Sequence, residues 1–508
     1  MIRSLEALRQ GGWRWAMAFG AGGLCVPGFA PVGWFILPIV ALAVLVWLIT
    51  DLRSARAAAW TGFAFGLGLF MFGVGWVYVA LHRFGGMPFW LAGPATLLFA
   101  AFLSLYPAVA CALAAPLRQR WQLIGLPAAW ALTEWARGWV FTGFPWLAVG
   151  YSQVPASPIA GWAPVLGVFG ASFFTVLAAT GAALAIQKTR RGLGLLALAA
   201  ALSSGALLTG IPFTEPAGAP VSVTLVQGNV AQDLKFREDT LLRSLMAYRE
   251  AVAGAASRLV ILPETALPLL LHEVSAEYLD SIRSLAVRNG ADVVVGVFEN
   301  DPPGSDRYFN SVVSFGASES QRYRKHHLVP FGEFIPLKTV LAPVINEWLH
   351  IPLSDQTRGP ARQTPLAIGG QRVAINICYE DVFGEEIVRQ LPDATLLVNV
   401  SNDAWYGESW AAEQHRQISQ MRARETGRWM LRATNTGVTA AIDETGAVRR
   451  ELPQFTEGTL TVDAQGRTGV TPYVRWGNGP VTTLSGVLLA AAMWRGRHRR
   501  LTSSVPLD

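Results

Sequence analysis

Charge is the first thing this sequence lacks: only 15% of its 508 residues are Asp, Glu, Lys or Arg, against roughly 25% in an ordinary soluble domain. With 52% hydrophobic residues, 19 tryptophans and a mean hydropathy of +0.33, the composition is that of a bilayer protein. Cysteine is nearly absent too. Of the three, Cys25 and Cys111 lie in apolar runs and Cys378 alone has polar surroundings, which excludes a disulfide framework for the polar part of the chain. The seven histidines are scattered, and the adjacent pair His326 and His327 cannot share the i, i+4 face of a zinc helix, so no metal is expected. No glycine-rich phosphate cradle is present, so no nucleotide and no other cofactor is expected. A net charge of +6 could suggest nucleic acid, but no basic stripe interleaved with aromatics exists. Much of the Arg and Lys excess sits in short loops between apolar runs, where it reads as a topology signal.

What the chain has in abundance is long apolar runs. Crossing the hydrocarbon core takes about 20 apolar residues, and candidate spans fall near 13–26, 30–49, 57–81, 88–115, 122–137, 159–186, 193–212 and 479–494. The first is short and the fifth carries Glu134 and Arg137 at its far end, so either could be only partly inserted. The first run shows no small-residue cleavage site and leads directly into others, so it is expected to be retained. Arg3, Arg9 and Arg14 precede the first span. Arg53 and Arg56 follow the second, Arg118 and Arg120 the fourth, Lys188, Arg190 and Arg191 the sixth, and Arg495, Arg497, Arg499 and Arg500 the last. The alternate loops are nearly bare: Arg83 follows the third span, and 138–158 has no Lys or Arg. Eight crossings satisfy the positive-inside rule at every loop, with both termini cytoplasmic and the long segment after the seventh span periplasmic. The expected organisation is a transmembrane helical domain over 1–212, a periplasmic domain over 215–478, and a last transmembrane helix with a basic tail over 479–508.

Residues 215–478 alternate strand-length apolar runs (221–226, 258–262, 291–298, 311–315, 372–377, 394–400) with helical patterns near 238–254, 274–289, 382–391 and 411–432. Continuous β-branched runs suit strands buried on both faces, so a layered α/β domain is expected. Three residues stand out at strand ends or sharp turns, where α/β sheets gather ligands. Glu264 follows 258–262 within Leu-Pro-Glu-Thr-Ala-Leu-Pro, Lys325 precedes His-His-Leu-Val-Pro-Phe-Gly-Glu-Phe, and Cys378 ends 372–377 ahead of Tyr379, Glu380 and Asp381. Singly, each has a plain reading: a turn carboxylate, a solvated lysine beside Arg322 and Arg324, a small buried thiol. In the order Glu, Lys, Cys, in these surroundings, they point to covalent catalysis.

That order resembles the nitrilase superfamily of carbon–nitrogen hydrolases, which implies an αββα sandwich and a Glu-Lys-Cys triad. Val226-Gln227-Gly228-Asn229, the run Leu328 to Phe334, Ser401-Asn402-Asp403-Ala404-Trp405-Tyr406-Gly407, and in the apolar part Thr142-Gly143-Phe144-Pro145-Trp146 and Gly150-Tyr151-Ser152-Gln153 are similar to the apolipoprotein N-acyltransferase family over nearly the whole chain. His326 and His327 after the lysine, and Phe236 where a tryptophan would also be familiar, are minor departures. The resemblance implies a bacterial inner-membrane enzyme. It would take an acyl chain from a phospholipid such as phosphatidylethanolamine onto Cys378 as a thioester, then pass it to the N-terminal amine of a diacylglyceryl-cysteine on an apolipoprotein.

In that scheme Glu264 is the general base and Lys325 with the Tyr379 N–H holds the oxyanion. Glu333 positions the lysine or the base, and Glu380 either supports them or is a solvated turn carboxylate. Extracting a chain of about sixteen carbons from lipid costs more than roughly 10 kcal/mol at ~0.8 per CH₂, so the site must open laterally on the bilayer. The stretch 337–353, with Trp348 and Leu349, reads either as a dipping arm that gates acyl entry or as a core-covering loop. Phe236 and Trp405 join those two as substrate-entry candidates. A membrane-tethered amidase with the same triad and water as acceptor is the alternative. A transporter is disfavoured by the scarcity of charge within the spans, and a non-enzymatic lipoprotein scaffold would not need a reactive Cys378.

Overall fold

The computed structural model describes residues 11–117, 119–235, 237–336 and 355–502. The chain divides into two compact units: the described residues of Met1–Val77, Trp90–Pro212 and Arg475–Asp508 form one, and those of Tyr78–Phe89 and Phe213–Val474 form the other.

Every apolar segment of the first unit is helical: α1 (Gly11–Cys25), α2 (Ile36–Ile49), α3 (Ala55–Gly73), α4 (Phe89–Ala114), α5 (Gln119–Arg137), α6 (Ala163–Ala185), α7 (Arg191–Thr209) and a last helix, Gly479–Thr502. Four stretches among the described residues are long and apolar enough to cross a membrane: Ala55–Gly73, Phe89–Ala114, Pro158–Ala185 and Lys188–Thr209. Ile36–Ile49 is apolar but shorter. The third predicted span, 57–81, is cut short. Its helix ends at Gly73, where Val74 leaves helical geometry between two glycines that weaken a helix, and Tyr78–Phe89 clusters with the second unit.

The two charges at the end of α5 are buried, and both bond to nearby structure. Glu134 Oε1 accepts from Trp130 Nε1 at 2.9 Å and from the Val149 N–H at 3.0 Å. Arg137 Nη1 donates to the carbonyls of Phe144 at 2.8 Å and Trp146 at 2.5 Å, and its guanidinium lies 5.1 Å from the Phe70 ring centre. Arg137 therefore ties down the carbonyls of Phe144 and Trp146, and Glu134 the N–H of Val149, in place of solvent.

The second unit is a four-layer sandwich. A short ribbon pairs β1 (Thr214–Pro216) with β15 (Arg467–Gly469), and the other strands form two sheets. The strands of the first are β2 (Val221–Gln227), β3 (Leu259–Ile261), β5 (Asp292–Asn300), β6 (Tyr308–Gly316), β7 (Arg322–Arg324) and β14 (Gly458–Ala464), with β4 (Leu267–Leu270) pairing on β5. The second holds β8 (Leu366–Ile368), β9 (Gln371–Ile377), β10 (Leu396–Ser401), β11 (Met430–Thr434), β12 (Ala440–Ile442) and β13 (Val448–Glu451). The central pairs β2/β3, β3/β5, β9/β10 and β10/β11 are parallel.

Period-2 alternation explains the layering. Val221, Val223 and Leu225 with Val373, Ile375, Ile377, Leu396, Val398 and Val400 fill the space between the sheets. The intervening Val260, Val293, Val295 and Val297 face the helices Glu238–Gly254 and Ala276–Arg288 through Tyr248, Val252, Ile282 and Ala286. Ala374, Leu397 and Met430 pack on Ala412 and Ala423 of the helix Ala411–Thr426. Both faces of each sheet are covered, which is why the strands read as unbroken apolar runs.

Candidate active site

Parallel strands deliver their following residues to one end of the sandwich. Cys378 is the first residue after β9, Lys325 the first after β7, and Glu264 follows β3 by three residues. Close packing of the Glu264 turn on β5 depends on Gly296, where a Cβ would come within 2.5 Å of the Pro263 carbonyl and 2.8 Å of the Glu264 Cα. Cys378 has φ +52°, a left-handed conformation that costs a non-glycine residue on the order of 1 kcal/mol or more and is typical of functional turns.

Lys325 is buried between two carboxyl groups. Its Nζ lies 2.6 Å from Glu333 Oε1 and 3.7 Å from Glu264 Oε1. The carboxyl groups are held from elsewhere. Glu264 accepts from Asn310 Nδ2 at 2.8 Å and from the Asn402 N–H at 2.7 Å. Glu333 accepts from the Val329 N–H at 2.8 Å, with Asn310 Nδ2 at 3.5 Å. Burial pulls the Lys325 ammonium's pKa down, but Glu333, then Glu264 and Cys378, outweigh it, so the net shift is upward and the lysine stays charged. The Cys378 thiol is pushed well above its ordinary range, by burial first and by Glu264 second, with Lys325 opposing. A thiol so held needs a neighbouring base to become a thiolate.

Glu380 is not a solvated turn residue: it is 2% exposed. It accepts from Ile377 N–H at 2.8 Å, Tyr323 O–H at 3.0 Å, His326 N–H at 2.6 Å and His327 N–H at 3.0 Å. One carboxyl group thus ties the turn after Cys378 to the backbone after Lys325. Tyr379 stands edge-on to Phe383 and His327, and His327 stacks on Phe383 at 3.7 Å. Trp405 is half-buried with Phe84 edge-on at 6.1 Å; Phe84 belongs to the short Tyr78–Phe89 piece. Phe236 and the whole stretch 337–353, with Trp348 and Leu349, lie outside the described residues.

Sequence reasoning missed Asn310, Lys235 and a set of charges behind the nucleophile. Lys235, 4% exposed, donates to the Glu264 carbonyl at 3.4 Å, and burial lowers its pKa to about 8. Asp381, Asp403, His415 and Arg432 are all buried and mutually paired. Asp381 and Asp403 sat inside quoted motifs, but His415 and Arg432 carry no local signal. Asn310 lies one residue before the predicted strand 311–315, inside the longer β6 that the structure shows.

A buried cysteine on a strained turn, facing an ammonium and a carboxyl group at the parallel-strand end of an αββα sandwich, defines a nitrilase-like enzyme domain, and residues 222–473 match the carbon–nitrogen hydrolase family. An amidase from Nesterenkonia sp. is 20% identical over 51% of this chain and 94% of that one, with a TM-score of 0.36. Residues 21–181 match the apolipoprotein N-acyltransferase N-terminal domain. Apolipoprotein N-acyltransferase of Nitrosomonas europaea is 48% identical, covering 97% of this chain and 100% of that protein. The enzyme of the same name from Chromobacterium violaceum is 46% identical over 94% of this chain and 93% of its own. The chain belongs to the apolipoprotein N-acyltransferase family and is a membrane acyltransferase.

Proposed function

We propose that this enzyme acylates the N-terminal diacylglyceryl-cysteine of apolipoproteins, with a phospholipid such as phosphatidylethanolamine as donor, by a two-step exchange through a thioester on Cys378. In the first step Glu264 takes the thiol proton as sulfur attacks the ester carbonyl carbon. The tetrahedral oxyanion rests on the Lys325 ammonium and the Tyr379 N–H, and collapse breaks the ester C–O bond while Glu264 returns its proton to the departing lysophospholipid oxygen. In the second step Glu264 takes a proton from the incoming α-amine, whose pKa of about 8 leaves it mostly protonated at neutral pH. That proton leaves to water, nitrogen attacks the thioester to form the C–N bond, Glu264 takes the second nitrogen proton as it does so, and the C–S bond breaks as that proton passes to sulfur. Glu333 holds the lysine and Glu380 holds the turn.

The observation that carries this reading is the Cys378 turn facing Lys325 and Glu264 in a chain whose other unit is built of apolar helices. Two acyl-bearing substrates need a site that lipid reaches without leaving the bilayer. The charge pattern favours eight crossings of the inner membrane over 1–212 and 479–508, both termini cytoplasmic, and the 215–478 domain periplasmic. The reading assigns acyl entry to Trp405, with Phe236, Trp348 and Leu349 as further candidates from the sequence.

The test is mass spectrometry of full-length protein after exposure to phosphatidylethanolamine vesicles. A hydroxylamine-labile acyl mass is expected on Cys378, absent in Cys378→Ala, and a diacylated lipopeptide should then become triacylated. Full activity in Cys378→Ala would end the covalent reading.

A further inference from the structure

The Cys378 carbonyl is held by two donors, His415 Nε2 at 3.3 Å, shared with Asp381, and Asn399 Nδ2 at 3.1 Å. A trans peptide is planar with C=O and N–H opposed. Fixing the Cys378 oxygen on one side therefore fixes the Tyr379 N–H on the other. The donors are themselves locked. His415 Nδ1 lies 2.8 Å from Asp403 Oδ1 and Nε2 2.8 Å from Asp381 Oδ1, so both ring nitrogens face carboxylates and both donate: the ring is an imidazolium. Asn399 is oriented by Arg432 Nη1 donating to its Oδ1 at 2.9 Å and by its own donation to Asn376 Oδ1 at 2.6 Å. Arg432 pairs with Asp381 and Asp403 at 3.1 Å each, and Ser419 Oγ donates to Asp381 at 2.5 Å.

Four charged side chains with no exposed surface are an expensive way to fill a core. Their contacts all lead back to the site. Asp381 is in the turn after the nucleophile. Asp403 takes Ser401 Oγ at 2.9 Å and anchors the turn whose Asn402 N–H holds Glu264.

We infer that His415 and Asn399 are positioning residues for the oxyanion hole, pinning the Cys378 carbonyl so that the Tyr379 N–H is aimed at the reacting carbonyl oxygen before substrate arrives. The inference rests on the thioester reading above. It separates two variants that lose the same charge. Glutamine at 415 carries its amide nitrogen where Nε2 stood, and so keeps a donor for the Cys378 carbonyl. Asparagine carries its nitrogen where Nδ1 stood, and keeps the Asp403 contact but drops the carbonyl.

The experiment is single-turnover acylation of the full-length enzyme in detergent with phosphatidylethanolamine, alongside alkylation of Cys378 by iodoacetamide, which generates no oxyanion. His415→Asn should form thioester about 10²-fold more slowly than His415→Gln, the scale of one oxyanion donor, while the two alkylate at the same rate. Asn399→Asp is isosteric, keeps an acceptor for Arg432 and removes a donor from the carbonyl. It should show the same selective loss, and it keeps the idea testable if position 415 does not tolerate change. Equal acylation in the two His415 variants, wild-type acylation in Asn399→Asp, or alkylation falling in step with acylation overturns the inference. If instead wild-type Cys378 never gains an acyl group in this assay, it is the thioester reading that fails, and the inference with it.

Discussion

Two buried clusters of charge sit a few residues apart in the catalytic unit, and they are built on opposite principles. The first offers one ammonium, Lys325, to two carboxyl groups, Glu264 and Glu333, whose side chains keep 8% and 13% of their surface open. The second pairs two carboxylates with two cations, Asp381 and Asp403 with His415 and Arg432, all at 0%. A cluster with carboxyl groups to spare and a little exposure can accept and return a proton. A balanced, closed cluster has no exposed group with which to trade protons with a substrate, and serves to hold backbone in place.

The comparison breaks most easily at Arg432. Arg432→Leu strands two carboxylates and an imidazolium in the core and should cost about 3–5 kcal/mol of stability, read as a large fall in the thermal midpoint of the full-length protein in detergent. Lys325→Met should do the reverse. Turnover falls by about 10³-fold, about 4 kcal/mol in barrier, while the midpoint moves little, because Glu264 and Glu333 retain backbone and Asn310 donors. Should the two variants lose stability equally, the clusters do not differ in kind.

What the sequence disclosed follows the same division. The inner strands were legible because burial on both faces leaves continuous apolar runs: 221–226 became β2 and 372–377 became β9. Strand β11 was absorbed into a helix predicted over 411–432. That helix stops at Gly427, in a left-handed cap with φ +64°, and the strand beyond it carries Arg432 in its middle. The juxtaposition of Glu264, Lys325 and Cys378 was legible because all three follow strand ends beside turn residues. His415, Arg432 and Asn310 were not, because each is a polar group inside a regular element whose partner arrives from tens of residues away. Periodicity reports which face a side chain takes and says nothing of what it meets there.

The closed cluster also predicts a pH response. Burial and Arg432 pull the His415 pKa down, but Asp381 and Asp403 more than offset them and raise it to about 9. The unfolded value is about 6.5. A base whose folded pKa is raised lends stability that is complete below pH 6.5 and is lost as pH climbs through 9. The span corresponds to about 3 kcal/mol. The thermal midpoint should therefore decline between pH 6.5 and 9 in the wild type, and His415→Gln should flatten that decline while lowering the plateau. A decline of equal depth in the variant would assign it to other groups.

The smallest expected effect lies in the open cluster, at Asn310. Its Nδ2 reaches Glu264 Oε1 at 2.8 Å and Glu333 Oε1 at 3.5 Å, while its Oδ1 has no hydrogen-bond partner among the described residues. The side chain thus acts only as a donor, set between two carboxyl groups that also share Lys325. Asn310→Ala removes that donor and nothing else of consequence, since Lys325 N–H bonds to the Asn310 main chain. A neutral donor to a carboxylate is worth about 1.5 kcal/mol, so acylation should slow by about tenfold with the midpoint nearly unchanged. Asn310→Asp puts an acceptor against two acceptors, and its loss should be larger by at least another factor of ten. If aspartate is tolerated as well as alanine, Asn310 does not face Glu264 during the reaction, and the open cluster is organised by Lys325 alone.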